Sequence, residues 1–158
     1  MLNDLISQSE ALVFFTGAGI STNSGIPDFR GPKGIWKTSQ PIYFQDFVNS
    51  EEKRIESWER KFSNELNINK AKPNQGHQKI AEIMKKKGLS HLITQNVDNL
   101  HQESGVNDSQ ITELHGNATY AKCLDCQLRY DLAELKESFL STKVPPLCNE
   151  CNGLIKTA

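Results

Sequence analysis

Residues 11–31 read ALVFFTGAGISTNSGIPDFRG, an apolar run that passes directly into a glycine-rich loop. The apolar part ends at Thr16 and is rich in residues that favour β-strands. Unbroken apolarity ended by glycine predicts a strand covered on both faces, as in a parallel α/β sheet. Glycines directly after such a strand let backbone N–H groups approach a pyrophosphate at the start of a helix. The stretch therefore indicates an α/β fold with a phosphate-binding turn.

The Gly17-Ala18-Gly19 turn is a weak signal by itself, because a tight turn of any kind also favours glycine. Thr22 stands where the dinucleotide fingerprint has its third glycine, and the acidic residue expected about 20 positions on is not evident. An ordinary hydride-transfer site is therefore not indicated. Asp28-Phe29-Arg30 adds a carboxylate, an aromatic ring and an anion-binding group to a Gly/Pro-rich loop, a composition more typical of ligand binding than of core packing.

Further predicted strands cover 89–94 and 111–115, and residues 154–157 are expected to start a fourth. A turn into a short helix is predicted over 41–48, and longer helices over 50–66 and 75–87. Strands separated by helices predict parallel pairing in one α/β sheet. The segments from about 37 to 72 and from about 122 to 152 are expected to form satellites of that sheet.

Residues 94–101 read TQNVDNLH and begin where a predicted buried strand ends. Open α/β sheets bind ligands at this edge, and a run of amide and carboxylate side chains suits hydrogen bonding of a sugar and a carboxamide. The alternative is a helix cap in which Asp98 caps a helix from Asn99 to Glu103. The segment alone favours neither interpretation.

His115 and Gly116 follow another predicted strand. The imidazole titrates near neutral pH, which suits a general base, but a lone histidine is more often a structural residue. The chain has four histidines, at 77, 91, 101 and 115. Spacing does not choose among them, although a histidine inside a strand, as predicted for His91, is the least suited to catalysis.

The four cysteines form two C-x2-C pairs, Cys123 with Cys126 and Cys148 with Cys151, with 21 residues between the pairs. This is the ligand layout of a tetrahedral site in which four thiolates hold zinc. Because all four positions are filled by protein, the metal is expected to be structural. It would contribute folding free energy to a segment too small for a core of its own.

Composition excludes several other classes. The chain of 158 residues carries 18 basic and 19 acidic side chains, so no general attraction to nucleic acid or to an anionic membrane is expected. The charges around the cysteines are also balanced, which disfavours a zinc ribbon that binds nucleic acid. No apolar stretch approaches the ~20 residues that span a bilayer, and the N-terminus lacks the features of a secretion signal. A cytoplasmic location is expected.

Taken together, five ordered stretches resemble the sirtuin family, the NAD-dependent protein lysine deacylases. They are the run at 17–31, the Pro73-Asn74-x-Gly76-His77 pattern, residues 94–101, His115-Gly116 and the paired cysteines. The resemblance implies a Rossmann-like NAD-binding domain made of 1–36, 73–121 and 153–158. It also implies a small domain made of a helical insertion at 37–72 and a zinc-binding module at 122–152.

The resemblance further implies roles for single residues. His115 would be the general base, and Asn96, together with Gln95, would contact the nicotinamide ribose. Val97 and Asp98 would hold the nicotinamide carboxamide. The remaining cofactor-binding residues would be Gly17, Ala18, Gly19, Ser21, Thr22, Asp28, Phe29 and Arg30.

The implied reaction consumes NAD and an acyl-lysine protein or peptide. The acyl oxygen attacks the anomeric carbon of the nicotinamide ribose and expels nicotinamide, and the products are free lysine and O-acyl-ADP-ribose. Two alternatives stay open: an NAD glycohydrolase or ADP-ribosyltransferase with the same nicotinamide site, and a zinc-ribbon binding module without catalysis. The oligomeric state is left open.

Two departures from the family pattern bear on these expectations. A sirtuin catalytic core continues well beyond residue 158, so we expect this chain to be a fragment or a truncated gene product, with incomplete sites and exposed apolar sheet surface. Relatives that prefer succinyl groups carry a Tyr-x-x-Arg pair, where this chain reads Trp58-Glu59-Arg60-Lys61. This difference favours acetyl or other neutral acyl groups.

Overall fold

The computed structural model of the chain describes residues 2–28, 31, 34, 40–63 and 70–157. Three strands form a parallel sheet: β1 (Val13–Thr16), β2 (His91–Thr94) and β3 (Ile111–Glu113), in the order β1-β2-β3. Thr16 pairs with Thr94, and Thr94 pairs with Glu113. The predicted parallel α/β sheet is confirmed, and its strands end side by side.

Helices precede, connect and flank the strands of this sheet. Helix α1 (Leu2–Gln8) precedes β1, and a 3-10 helix (Ala18–Ser24) follows it. The chain reaches β2 through α2 (Phe44–Asn49), α3 (Glu51–Phe62) and α4 (Gln75–Lys86), and α5 (Leu100–Glu103) lies between β2 and β3. The helices predicted in these regions are confirmed, with shorter bounds.

Helix α4 begins at a capping box formed by Asn74 and His77, which satisfies backbone N–H groups of its first turn. Its buried residues Ala81 and Met84 pack with Leu92 and Val106. This apolar stripe covers one face of the sheet. The helical spacing of the sequence predicts a stripe of Ile80, Ile83 and Met84, of which Met84 is buried in this cluster and Ile80 packs against it.

Strand β1 differs from the prediction of a strand covered on both faces. Val13 and Phe15 are 70% and 62% exposed, whereas Phe14 packs against the core. Side chains alternate across a strand, so the outward face of β1 carries only these two apolar groups and remains uncovered in the described structure. Exposed apolar sheet surface was the expectation from the resemblance.

The small domain has one core. A second, antiparallel sheet contains β4 (Tyr120–Cys123), β5 (Arg129–Asp131) and β6 (Ile155–Thr157) in the order β5-β4-β6, and α6 (Leu132–Thr142) follows β5. Trp58 of α3 is buried against Phe139 of α6, with ring centroids 6.4 Å apart. The helical insertion and the cysteine module therefore stabilise each other.

The fourth strand is a correction. Residues 154–157 were expected to extend the parallel sheet, but β6 pairs antiparallel with β4, and Ile155 lies opposite Cys123. Ile155 is buried in the core that contains Trp58 and Phe139. Burial of this side chain, together with the closing of the cysteine module, favours the second sheet over the first.

Candidate functional site

Three loops leave the parallel sheet at the same edge, the carboxyl ends of its strands. The backbone N–H of Gln95 donates to the carbonyl of Thr16 at 3.0 Å, and that of Leu114 donates to the carbonyl of Thr94 at 2.9 Å. The segments that begin at Gly17, at Gln95 and at Leu114 are therefore neighbours. This is the edge at which open α/β sheets bind ligands.

The first loop is a rigid turn. A Cβ atom on Gly17 would lie 4.0 Å from Nε2 of Gln95, and Gly25, with φ of 87°, ends the 3-10 helix in the left-handed conformation that glycine adopts most easily. The side-chain amide of Asn74 donates to the carbonyl of Ile20 at 2.7 Å and to the hydroxyl of Ser24 at 2.9 Å. The start of α4 thus holds the turn in place.

Ser21 is 1% exposed, and its hydroxyl is fully used inside the protein. It donates to Oδ2 of Asp98 at 2.6 Å, accepts from Nδ2 of Asn96 at 3.2 Å and faces Nε2 of His77 at 3.5 Å. Nδ1 of His77 accepts from the backbone N–H of Asn74, so the proton of this ring is on Nε2 and points to Ser21. In this structure the Ser21 hydroxyl orients Asp98 and Asn96.

The Asp98 carboxylate supports the start of α5, as the helix-cap alternative predicted, and also bonds to Ser21. Oδ1 accepts from the backbone N–H of Leu100 at 3.1 Å, a contact that supports the start of α5. Oδ2 accepts the hydrogen bond that the Ser21 hydroxyl donates. Asn99, with φ of 65°, is the N-cap residue itself, one position after the residue predicted for it.

A second buried chain of hydrogen bonds begins at His101. Nε2 of His101 lies 2.9 Å from the hydroxyl of Thr16, which donates to the hydroxyl of Thr94 at 2.9 Å. The backbone N–H of Asn96 donates to that same Thr94 hydroxyl at 3.0 Å. Since Thr16 gives its only proton to Thr94, His101 must donate through Nε2. This series of hydrogen bonds fixes the backbone of Asn96.

His77 and His101 are neutral in the folded protein at neutral pH. Their ring centroids lie 4.8 Å apart, and both rings are buried. Burial lowers the pKa of His101 to about 4, and the neighbouring His77 adds to the effect. Burial also lowers the pKa of His77, against the opposing charge of Asp98. The sequence pattern assigns neither histidine a role, although both lie in stretches that carry the resemblance.

His115 lies in the third loop, two residues after β3, and its side chain is exposed. The backbone N–H of Ala118 donates to the carbonyl of Val97 at 2.7 Å, and Nδ2 of Asn117 donates to Oε1 of Glu113 at 2.7 Å. These bonds join the third loop to the second and to the end of β3. His115 is thus the exposed histidine at the loop edge, whereas His91, on β2, bonds to Thr112.

The predicted cofactor-binding residues divide by exposure. Ser21, Asn96 and Asp98 are buried; the exposed ones are Gly19, Thr22, Gln95 and His115, and the half-buried ones are Gly17, Ala18, Asp28 and Val97. Phe29 and Arg30 lie outside the described residues. The arrangement is an open rim supported by a buried polar network.

The Trp58 to Lys61 segment lies in the small domain. Trp58 is in its core, and the guanidinium of Arg60 donates to the carbonyl of Gln40 and to Glu56. The ammonium of Lys61 donates to the carbonyl of Ala118. The charged groups of Arg60 and Lys61 therefore bond to other groups of this chain.

The four cysteine sulfurs form a compact group. Sγ of Cys123 lies 3.5 Å from Sγ of Cys151, as does Sγ of Cys126 from Sγ of Cys148, and all four atoms lie within 4.8 Å of one another. A tetrahedral zinc ion with bonds of about 2.3 Å separates its sulfur ligands by about 3.8 Å. The four side chains therefore fit a structural zinc ion. The hydroxyl of Tyr130 lowers the pKa of Cys148 to about 6.

The fold and the site define a class: an α/β protein with a nucleotide-binding type of sheet edge and a small domain built on four thiolates. A Sir2 family profile matches residues 17–158. The chain belongs to the Sir2 family, the sirtuin family that its sequence motifs resemble.

Relatives carry consistent names. A protein of Rhodopseudomonas palustris named NAD-dependent protein deacetylase is 46% identical over 157 residues, which cover 99% of this chain and 62% of the relative. A protein of Thermotoga maritima with the same name is 40% identical over 156 residues, covering 97% of this chain and 61% of the relative. The chain thus spans about three-fifths of the length of these relatives.

Solved Sir2 structures share the fold. One that contains a deacetylated peptide and 3'-O-acetyl-ADP-ribose superposes with a TM-score of 0.80 at 39% identity, covering 99% of this chain and 62% of that one. Another, a complex with a peptide and NAD+, gives a TM-score of 0.77 at 39% identity, covering 99% of this chain and 61% of that one.

Among the described residues no helix is long and apolar enough to cross a bilayer.

Proposed function

We propose that this chain carries the cofactor-binding edge and the zinc module of an NAD-dependent protein lysine deacylase, which releases nicotinamide and O-acyl-ADP-ribose. The observation that carries the proposal is the meeting of three loops at one sheet edge, loops that carry the exposed Gln95 and His115 and the buried group formed by Ser21, Asn96 and Asp98. Relatives of matching sequence are named for this activity.

The proposed roles follow from what each side chain is free to do. His115 is exposed at the rim and would accept a proton from a ribose hydroxyl, a task suited to an imidazole. Gln95 is exposed and would contact the same ribose. Asn96 and Asp98, oriented from below by Ser21, would fix the ribose and the carboxamide of nicotinamide.

The phosphate side of NAD would lie against the first loop. Gly17, Ala18 and Gly19 offer backbone next to Gln95, with no Cβ at the two glycines to keep a phosphate away. Thr22 is exposed on the same 3-10 helix. Asp28, Phe29 and Arg30 would belong to the cofactor-binding loop, with Phe29 beside the nicotinamide ribose.

The acyl-lysine substrate would reach the site from the His115 side, and acetyl or other neutral acyl groups are proposed because Arg60 and Lys61 already bind carbonyl groups of this chain. We also propose the division into a Rossmann-like domain and a small domain at the limits given above, with 153–158 reassigned to the small domain on the pairing of β6. A cytoplasmic location is proposed because four grouped, unpaired thiols suit a reducing compartment.

The experiment is product analysis. A protein that contains this chain at the full length of its relatives is incubated with NAD and an acetyl-lysine peptide, and products are identified by mass spectrometry. O-Acetyl-ADP-ribose and deacetylated peptide are expected. Plain ADP-ribose, or protein that has gained ADP-ribose, would overturn the proposal in favour of a glycohydrolase or a transferase. His115→Ala should abolish product formation, and His91→Ala, which alters a strand histidine away from the rim, should not.

A further inference from the structure

Tyr130 on β5 contacts the cysteine group directly. Its hydroxyl lies 3.0 Å from Sγ of Cys148, and the backbone N–H of Asn149 donates to the same hydroxyl oxygen at 3.0 Å. Since Asn149 fills a lone pair of the oxygen, the hydroxyl proton is directed at the sulfur. Among the described residues, the cysteines contact one another through their sulfurs, and Tyr130 is the one other residue whose side chain bonds to a cysteine sulfur.

The position of Cys148 explains why such a donor matters. Four thiolates around one Zn²⁺ leave an excess of negative charge on the sulfurs. Cys126 and Cys151 are exposed, and water can solvate them, but Cys148 is 1% exposed. Hydrogen bonds from the protein must replace water there, because charge buried without donors is costly.

The tyrosine is held in position by packing. Tyr130 pairs with Ala121 across β4 and β5, and its ring packs against the core of the small domain. The hydroxyl therefore reaches Cys148 without the entropy loss of ordering a free side chain. Backbone N–H groups of Glu150 and Cys151 also favour the charged form of this sulfur, and the hydroxyl adds a side-chain donor to it.

We propose that Tyr130 is a positioning residue of the zinc site, whose hydroxyl holds the Cys148 thiolate on the metal and slows zinc loss. Groups that bond to metal ligands typically change metal affinity by about 10–100-fold when removed. A donor to one of four sulfurs belongs at the lower end of that range. The inference concerns the metal site alone and does not depend on the proposed activity.

The test compares Tyr130→Phe with a matched control, Tyr120→Phe. Both replace a tyrosine of the second sheet and keep the ring, but Tyr120 packs under Arg129 and does not bond to a cysteine sulfur. Zinc affinity is measured by competition with a chromogenic chelator, with folding at saturating zinc checked by circular dichroism. Tyr130→Phe should weaken zinc binding about tenfold and speed its release, and Tyr120→Phe should match the wild type. Equal affinity and release for Tyr130→Phe and wild type, or no zinc binding by wild type, would overturn the proposal.

A second measurement needs no substitution and covers the case in which Tyr130→Phe does not fold. The unaltered chain is loaded with ¹¹³Cd, and protons coupled to the metal through hydrogen bonds to sulfur are detected by NMR. The amide protons of Glu150 and Cys151 serve as internal references. The hydroxyl proton of Tyr130 should show a coupling as they do. Couplings from both amides with none from Tyr130 would overturn the proposal.

Discussion

The hydroxyl of Ser21 donates a 2.6 Å hydrogen bond to Oδ2 of Asp98, a residue 77 positions later in the chain. The bond joins the loop after β1 to the loop after β2, and both residues are buried. It links the two adjacent loops beneath the exposed residues of the site. The contribution of this bond to the free energy of unfolding can be measured.

Ser21→Ala should lower the free energy of unfolding by about 1–3 kcal/mol, because it leaves Oδ2 of the buried Asp98 carboxylate without its donor. Thr22→Ala is the matched control: Thr22 is exposed on the same 3-10 helix, and its hydroxyl donates to the carbonyl of Gly19. That change should stay within about 0.5 kcal/mol. Denaturant unfolding measures both. Equal stability of the two variants would contradict the role given to Ser21.

Stability should fall in mild acid. The pKa of His101 is about 4 in the folded protein, against about 6.5 in an unfolded chain. Between these values the unfolded chain binds a proton that the folded chain does not, so the free energy of unfolding decreases as the pH falls through this window. The lowered pKa of His77 acts in the same direction. Urea titrations at a series of pH values measure the slope.

The matched variants for this prediction are His101→Gln and His115→Gln. The first removes the buried imidazole and should flatten the slope, while the second removes an exposed imidazole and should leave it nearly unchanged. An unaltered slope in His101→Gln would show that other groups cause the acid sensitivity.

Removal of zinc should disrupt the small domain before the parallel sheet. The core around Trp58 includes Cys123 and Cys148, so loss of the metal disturbs the packing of this indole. The chain has two tryptophans, and Trp36→Phe leaves Trp58 as the reporter. A chelator should shift its emission to longer wavelength, and added zinc should reverse the shift. If the chelator did not change the emission of Trp58, the packing of this core would not depend on the metal.

Gly153→Ala should weaken zinc binding by about tenfold or more. A Cβ atom at this buried position would lie 2.8 Å from Sγ of Cys123 and would also collide with the carboxylate of Asp125. Gly88→Ala is the control, because a Cβ atom there meets nothing within 4 Å. Chelator competition measures both. If Gly153→Ala bound zinc as tightly as Gly88→Ala, β6 would be able to move away from the added Cβ atom without a loss of zinc affinity.

The local features of the fold were accessible from sequence because each depends on neighbours along the chain. The run into Gly17 predicted β1, the helical pattern over 75–87 predicted α4, and the spacing from Cys123 to Cys151 predicted the sulfur cluster. The pairing of β6 was not accessible. A three-residue strand has no periodicity that chooses between two sheets, and the burial of Ile155 made that choice.

The sequence by itself determined the family, the edge of the sheet that bears polar loops, and the ligand set for zinc. Only the tertiary structure decided which histidines are buried, that Ser21 and Asp98 satisfy each other, and that Tyr130 bonds to Cys148. The physical reason is distance along the chain. Motif spacing fixes groups within a turn or a knuckle, whereas a hydrogen bond between remote loops exists only after β1 and β2 have paired and desolvated both partners.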